Sequence, residues 1–184
     1  LGERIWSSFF QSVTTRTAGF NTADLDKMTD SGKMGMVLLM VIGGSPGSTA
    51  GGMKTTTAAV LFAMAISVFR KNEQAHLYNR RIAEETQRNA ATIFVLYMML
   101  FTGSAMVISY VEKVPLVTAF FETGSAIGTV GLSLGLTPTL CLASRLILIC
   151  LMFFGRVGGL TLIFATVSGK RTEYKYPQEK ITVG

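Results

Sequence analysis

A weak internal repeat constrains the fold of this chain more than any other feature. A Phe-Phe pair at residues 9–10 precedes Gly19 by nine residues, and a second pair at residues 120–121 precedes Gly131 by ten. Another glycine cluster begins twenty-four residues after each of these glycines, at residues 43–47 and 155–159. Repeats of this kind let one chain surround an axis, with each repeat supplying one wall of a pore.

Long apolar segments predict that the chain lies in a lipid bilayer. Residues 90–110 contain no charged side chain, and a spanning helix needs about 20 apolar residues. Further apolar segments lie at residues 34–42, 55–69, 146–155 and 157–169. Charged residues make up only 15% of the chain, against about 25% in soluble domains. The fold class predicted is therefore an all-α integral membrane protein, and the net charge of +6 does not indicate a nucleic-acid partner.

The distribution of basic residues predicts the orientation of these segments. Arginine and lysine are concentrated at residues 70–89 and 170–184, whereas the opposite loops carry fewer and include Asp24, Asp26 and Asp30. The positive-inside rule places the two basic segments in the cytoplasm and both Phe-Phe segments toward the outside. We therefore predict a multi-pass protein of the plasma membrane, the inner membrane in bacteria, with a cytoplasmic C-terminus.

Both repeats contain a short half-helix, a loop and a returning helix. The second repeat, at residues 90–169, also has an outer helix, and Pro115 suits the first turn of its half-helix, which is predicted to end near Gly124. The first repeat, at residues 1–69, lacks the outer helix, and its returning helix is broken at residues 43–52. The segments between and after the repeats are a cytoplasmic linker at residues 70–89 and a cytoplasmic tail at residues 170–184. We expect the linker to extend one or both flanking helices, with Glu84 and Glu85 supporting Arg81 and Arg88 at helical spacing.

The loops after the half-helices have the composition of a carbonyl-lined selectivity filter. Backbone carbonyls can replace the water shell of a cation, and glycine lets several of them point at one axis. Thr-Val-Gly at residues 129–131 matches this pattern, and Thr-Ala-Gly at residues 17–19 is a looser match. The predicted filter residues are Thr17, Ala18, Gly19, Phe20, Thr129, Val130, Gly131 and Leu132. We expect potassium at the backbone of Gly19 and Gly131; a simple glycine turn between helices is the alternative.

A glycine- and serine-rich segment at residues 43–54, here called the glycine strip, interrupts the first returning helix. Irregular backbone cannot face lipid, because its unsatisfied N–H and C=O groups would be unstable there. We therefore predict a flexible constriction below the ion site, with a packed helix kink as the alternative. The predicted gate residues of the strip are Gly43, Gly44, Gly47, Ser48, Thr49, Gly51, Gly52 and Lys54.

Two arginines are further candidates. Arg156 interrupts an apolar segment at the position that matches the strip. An intramembrane arginine costs about 2.5–3.5 kcal/mol on insertion scales, so we expect Arg156 to complete the gate by bonding strip carbonyls and to act as an electrostatic barrier to cations. A purely structural anchor is the alternative. Arg16, beside the first loop, is expected to pair with an acidic loop residue or to stabilise the loop backbone.

Three motifs, at residues 14–22, 43–55 and 155–159, resemble the Trk/Ktr/HKT superfamily of potassium transporters. The similarity is greatest to the membrane subunit of bacterial Ktr systems, the NtpJ type, and extends into the tail. The resemblance implies four helix–pore-loop–helix repeats around a pseudo-fourfold axis in a channel-like transporter. Residues 1–69 resemble the third repeat without its first helix, and residues 90–169 resemble the fourth.

The resemblance also implies roles and partners. Gly19 and Gly131 would be two of four filter glycines, the strip would be the intramembrane gating loop, and Arg156 would contact it. Ktr-type members form homodimers on a cytoplasmic ring of nucleotide-binding regulatory subunits. Half a ring of carbonyls cannot enclose a dehydrated ion, so we interpret the chain as a fragment. Its expected partners are then the remaining N-terminal pore repeats, a second copy, the regulatory ring and the lipid bilayer.

These patterns predict uptake of potassium or another monovalent cation, including sodium, by a protein that is not an enzyme and has no covalent cofactor. Two other classes remain open. A non-conducting membrane scaffold would use the repeats only for packing. A membrane enzyme would bind a nucleotide through residues 47–54, but Met53 breaks the spacing of the phosphate loop and no β-strand unit precedes it.

Overall fold

The computed structural model describes residues 2–72, 74–77 and 80–158, and this part of the chain is mostly helical, as predicted. Its helices are α1 (Gly2–Thr14), α2 (Asp30–Val41), α3 (Thr55–Phe69), α4 (Glu84–Glu112), α5 (Leu116–Ile127) and α6 (Leu142–Val157). Its strands are β1 (His76–Leu77) and β2 (Arg80–Arg81), which pair antiparallel. Single 3-10 turns lie at Leu25–Lys27 and Thr137–Thr139.

Helix α4 has the length and composition of a transmembrane segment. It has 29 residues, which corresponds to about 43 Å at the α-helical rise. Within the described residues it is the one helix that is long and apolar enough to cross a bilayer, while α3 and α5 are shorter apolar helices. It begins at Glu84 rather than at residue 90, because Glu84 and Glu85 suit the positive end of the helix dipole.

Helix α5 is the central element and packs against α2, α4 and α6. Its residues 121–127 are all buried, and most of their side chains are small. A Cβ atom added to Gly124 would lie 3.3 Å from Val37 of α2 and 3.5 Å from the ring of Phe101 of α4. The small side chains therefore let two neighbouring helices approach α5 closely.

Several predicted boundaries need correction. Helix α5 continues to Ile127 instead of ending near Gly124, because residues 124–127 pack into the core and their carbonyls receive the N–H groups of the following turn. Pro115 precedes the helix as its N-cap rather than occupying the first turn. Helix α6 is described to Val157, and the predicted continuation at residues 159–168 and the tail at residues 170–184 lie outside the described residues.

The linker agrees with expectation in part. Helix α4 begins within it, at Glu84, so one flanking helix is extended as predicted, whereas residues 76–77 and 80–81 form the paired strands β1 and β2. The expected support of the basic linker by acidic residues is present in one place, where Arg81 Nη2 lies 3.8 Å from Glu84 Oε1. The paired strands therefore lie between α3 and α4 in the chain, and α4 begins three residues after Arg81.

Candidate functional site

The two predicted filter loops lie side by side. A Cβ atom added to Gly19 would lie 2.5 Å from the carbonyl oxygen of Val130, and one added to Gly131 would lie 3.9 Å from the Cα atom of Gly19. The hydroxyl of Thr17 donates a hydrogen bond of 3.2 Å to the carbonyl of Gly128. No larger residue fits at position 19 without displacing the second loop. The folded chain therefore brings the two predicted filter glycines, Gly19 and Gly131, next to each other.

Both loops have the same backbone pattern. Thr17 and Gly19 have φ of 67° and 73°, and Thr129 and Gly131 have φ of 50° and 91°. Ala18 and Val130, which lie between them, do not have positive φ. Positive φ at alternate residues takes successive peptide planes out of the strict two-sided alternation that a regular strand imposes on its carbonyls. Such a loop can present several carbonyl oxygens to a single cation.

The half-helices hold these loops in place. The N–H groups of Ala18 and Gly19 donate to the carbonyl of Thr14 at the end of α1, at 3.1 and 3.3 Å. In the second loop the N–H of Val130 donates to the carbonyl of Ser125 at 2.9 Å. The last predicted filter residues of the two loops differ in exposure, since the side chain of Phe20 is 73% exposed and that of Leu132 is buried. The backbones of the repeats are therefore more alike than their side chains.

The glycine strip connects the ends of α2 and α3 through backbone hydrogen bonds. Ile42 and Met53 form a parallel β-bridge, and the N–H of Gly43 donates to the carbonyl of Met53 at 2.8 Å. A Cβ atom on Gly43 would overlap the carbonyl oxygen of Gly51. Glycine is required at position 43 because the backbone there contacts the backbone of Gly51. The break in the helix is therefore closed by backbone pairing where the two ends of the strip meet.

The outer part of the strip is more open. Gly44 accepts the N–H of Thr55 at 3.1 Å, while Gly47 has φ of 83° and no atom within 4 Å of an added Cβ. Ser48 closes a turn by donating its hydroxyl to Ser45 at 2.6 Å. Gly52 has φ of 73° and approaches the backbone of Gly128 in the second filter loop. The strip therefore has a tightly packed base and an exposed turn.

Both filter loops are hydrogen-bonded to the strip. Arg16 Nη1 donates to the carbonyls of Ile42 and Gly43 at 3.1 and 2.8 Å. The N–H of Gly51 donates to the hydroxyl of Thr129 at 3.0 Å. Arg16 thus binds neither of the partners expected from the sequence, since its guanidinium contacts the strip instead of an acidic residue or its own loop. The reason is tertiary, because α2 places its last carbonyls beside the first loop.

Two cationic side chains bind the middle of the strip. Arg156 Nη1 donates to the carbonyl of Thr49, so the predicted contact with the strip is present, while a role in gating stays a prediction. Lys54 Nζ donates to the carbonyls of Ala50 and Ser48 at 2.6 and 3.2 Å. Gly155 allows the approach of α6, because a Cβ atom there would overlap the carbonyl of Ile127 in α5.

The second loop and Arg156 border one cavity of about 440 Å³. Its lining includes Glu122, Ser125, Thr129, Gly131, Ser133 and Arg156. Within the described ranges, no group of three or more His, Cys, Asp and Glu side chains could hold a metal ion. The oxygen atoms available to an ion at the second loop are therefore backbone carbonyls and hydroxyl groups, together with a single carboxylate.

Sequence reasoning missed Glu122, which is 3% exposed. Its carboxylate accepts hydrogen bonds from the hydroxyl of Ser133, the N–H of Leu134 and the hydroxyl of Thr137, at 2.6, 2.9 and 2.7 Å. Gln11 is also buried and lies at the corresponding place in α1. The signal was present in the repeat, because Gln11 and Glu122 each directly follow a Phe-Phe pair.

The acidic residues near the first loop, Asp24, Asp26 and Asp30, lie on the surface. Asp24 caps the turn at Leu25–Lys27 and lies 2.8 Å from the ammonium of Lys27. Hydrogen bonding to Lys27 lowers the pKa of the Asp24 carboxyl below its usual value and raises the pKa of Lys27. The small stabilisation from Asp24 is present at neutral pH and is lost as the pH falls through its lowered pKa.

Comparison with known proteins agrees with this geometry. The sequence profile of the TrkH family, described as a cation transport protein, matches residues 1–174. The chain is 41% identical to the potassium/sodium uptake protein NtpJ of Enterococcus hirae, over 99% of this chain and 42% of the relative. It is 35% identical to the Ktr system potassium uptake protein B of Bacillus subtilis, over 99% of this chain and 41% of the relative.

A more distant relative comes from a eukaryote. Potassium transport protein 1 of Schizosaccharomyces pombe is 27% identical over 86% of this chain and 20% of the relative. The chain spans about two fifths of the length of the two bacterial relatives. Because the family profile covers nearly the whole sequence, the chain belongs to the TrkH family of cation transport proteins.

Proposed function

We propose that this chain forms part of the pore of a plasma-membrane uptake system for potassium or another monovalent cation, with sodium as the alternative to potassium. The observation that carries this proposal is the pairing of two loops with the same alternating φ pattern at Gly19 and Gly131. Such loops can replace the hydration shell of a cation without a fixed charge. The names of the bacterial relatives, which refer to potassium and sodium uptake, support the same chemistry.

In this proposal the chain supplies two of four pore walls. Residues 1–69 act as the third repeat without its first helix, residues 90–169 act as the fourth, and the missing walls come from N-terminal repeats. The exposed apolar side chains of α1, including Trp6 and Phe9, are suited to contact those repeats or lipid. Ions would pass down the electrochemical gradient, which supplies about 2.3 kcal/mol per charge per 100 mV.

The glycine strip acts as the gate below the filter. Its carbonyls bind the charged groups of Arg16, Lys54 and Arg156, and its residue Gly51 binds Thr129. Arg156 would also place a positive charge in the cation path, which raises the barrier to entry. Opening would require the strip to exchange these hydrogen bonds for contacts with water or with the ion.

The cytoplasmic parts are proposed to bind regulatory partners. The linker at residues 70–89 and the tail at residues 170–184 carry most of the basic residues and would lie in the cytoplasm. A second copy of the subunit and a ring of nucleotide-binding subunits are the proposed partners, in keeping with relatives that are named as components of Ktr systems.

The enzyme alternative has lost its support. The relatives are membrane cation transporters rather than enzymes. In addition, residues 47–54 follow helix α2, whereas a phosphate loop follows a β-strand. The scaffold alternative makes a different prediction, because it expects changes at the filter glycines to affect stability without affecting ion flux.

The test is rubidium uptake by cells that lack their own potassium uptake and express the complete pore subunit. We expect Gly131→Ser to reduce the preference for rubidium over sodium, because a side chain at φ of 91° is strained and adds bulk beside Gly19. Gly103→Ser is the matched control, since a Cβ atom at Gly103 in α4 meets no atom within 4 Å. Unchanged preference in Gly131→Ser, at equal membrane abundance, would favour the scaffold.

A further inference from the structure

We propose that Glu122 is a positioning residue that fixes the outer end of the second filter loop, and that Gln11 does the same for the first loop. This inference rests on the proposed function, because it concerns the selectivity of the same filter. Neither residue needs to touch the ion. Each connects a half-helix to the segment that leaves the filter glycine, and so limits how far the loop can widen.

The first support is the surroundings of Glu122. It lies on α5 and is almost completely buried, and its oxygens accept hydrogen bonds from Ser133, Leu134 and Thr137, all in the segment that follows Gly131. The ion pairs within the described ranges join Lys27 with Asp24 and Arg81 with Glu84, so neither involves Glu122. Uncharged donors from one short segment therefore satisfy this carboxylate, and hydrogen bonds to a buried charged group are strong.

The second support is the repeat. Gln11 follows its Phe-Phe pair as Glu122 follows the other, and Gln11 Nε2 donates to Asn21 Oδ1 at 2.9 Å. Asn21 lies two residues after Gly19, and Ser133 lies two residues after Gly131. The same pair of positions is therefore connected in both repeats, although one connection uses an amide and the other uses a carboxylate.

The effect of removing Glu122 follows from its contacts. In Glu122→Ala the hydroxyl groups of Ser133 and Thr137 and the N–H of Leu134 lose the acceptor that holds them to α5, and the half-buried donors of Ser133 and Leu134 are left unpaired at an unfavourable cost. The segment would move to find new partners, which would displace the carbonyls at Gly131. Glu122→Gln keeps a carbonyl oxygen at this place and uses the residue type found in the first repeat.

The experiment measures rubidium and sodium uptake and membrane abundance of the complete pore subunit in cells without their own potassium uptake. We expect Glu122→Ala to lower the preference for rubidium over sodium by about tenfold, the equivalent of about 1.4 kcal/mol. We expect Glu122→Gln to retain most of the preference. A structural role alone would instead lower abundance and both ion fluxes together and leave their ratio unchanged, and that result would overturn the proposal.

Two further variants keep the test decisive. Glu112→Ala is the matched control, because this glutamate, the last residue of α4, accepts the N–H of Cys141 at 2.9 Å rather than a donor from residues 133–137. If Glu122→Ala does not reach the membrane, Ser133→Ala combined with Thr137→Ala removes the donors instead and must lower the preference as well. Unchanged preference in that variant would also overturn the proposal.

The same assay separates this inference from the proposed function. If Gly131→Ser alters the ion preference while Glu122→Ala does not, the loops form the filter and Glu122 does not position them. If neither variant alters the preference, the loops are not the filter and both proposals fail. In a double-mutant cycle, Glu122→Ala and Ser133→Ala should be strongly non-additive, because they remove the same hydrogen bond.

Discussion

At the scale of single residues, Thr17 and Thr129 combine a left-handed backbone with a β-branched side chain, an arrangement that is sterically unfavourable. Each hydroxyl has a distant partner, since Thr17 donates to Gly128 and Thr129 accepts from Gly51. Strain of this kind costs about 1–3 kcal/mol per residue and persists only where the surroundings impose it. The two threonines therefore help to join the filter loops to each other and to the strip.

Arg16 offers a prediction at the same scale. Its guanidinium donates to the carbonyl of Ile42, directly before the strip, and to that of Gly43 in the strip; because Arg16 is exposed, each bond contributes on the order of 1 kcal/mol. We expect Arg16→Ala to lower the thermal unfolding temperature of the complete subunit in detergent by several degrees. Arg16→Lys should give an intermediate value, because an ammonium cannot reproduce the planar fork of a guanidinium.

The control for Arg16 is Arg70→Ala, since Arg70 is exposed where α3 ends. This change should leave the unfolding temperature nearly unaltered. Equal unfolding temperatures for Arg16→Ala and the unmodified protein would show that the contacts of Arg16 with the strip do not stabilise the fold.

At the scale of elements, the glycine strip interrupts a helix and is held by hydrogen bonds at several points. Its base is the bridge between Ile42 and Met53, and its exposed turn is bound by Lys54 and Arg156. The proposed role as a gate needs the turn to move while the bridge holds the ends of α2 and α3 together. Irregular backbone in a membrane protein must also stay next to protein or water.

We expect Arg156→Gln to raise the maximal rate of rubidium uptake by about two- to tenfold, because it removes a positive charge beside the proposed cation path. The half-saturating concentration should change less, since the filter loops are not altered. Rubidium uptake measured over a range of concentrations distinguishes these parameters.

The matched control for Arg156 is Arg145→Gln, because Arg145 lies near the start of α6 and donates to the carbonyl of Pro138 at 2.8 Å. This variant should have the rate of the unmodified protein. A rate for Arg156→Gln that is equal to or below that of the unmodified protein would contradict the role of Arg156 as a barrier and favour a structural anchor.

At the scale of the whole molecule, the fold buries one half-helix and exposes the other. Helix α5 is enclosed by three helices, whereas Trp6, Phe9 and Val13 of α1 are 73%, 63% and 52% exposed. An apolar surface of this kind needs cover from lipid or from another protein segment. Two filter loops that meet on one side therefore fit a pore whose remaining walls are supplied by other repeats.

This view predicts that residues 1–184 expressed alone do not support rubidium uptake in cells that lack potassium uptake. Uptake should appear when the remaining repeats are supplied in the same chain or as a second polypeptide. The measurement is uptake at matched membrane abundance. Uptake by the chain alone would contradict the proposal that N-terminal repeats supply the other two walls, and would indicate that two copies of this chain assemble into one pore.

Features that depend on neighbouring residues were predictable from the sequence. The helix at residues 55–69 is confirmed as α3, and the break before it coincides with the glycine strip, because apolar runs and glycine clusters act locally. The contact of Arg156 with the strip was also expected, since an arginine within an apolar membrane segment needs an acceptor and the repeat indicated one. Four repeats and a pseudo-fourfold axis stay predictions.

Only the tertiary structure decided how these parts are connected. The contacts of Arg16 with Ile42 and Gly43, and of Thr129 with Gly51, join residues that are distant in the chain and become neighbours only when α2 and α5 pack together. The partners of Glu122 likewise depend on how the segment after Gly131 folds back over α5. Composition and periodicity indicate which segments are helical and which are irregular, because those preferences are local. The choice of hydrogen-bond partner depends on packing, which brings one of many available carbonyls or hydroxyls within reach.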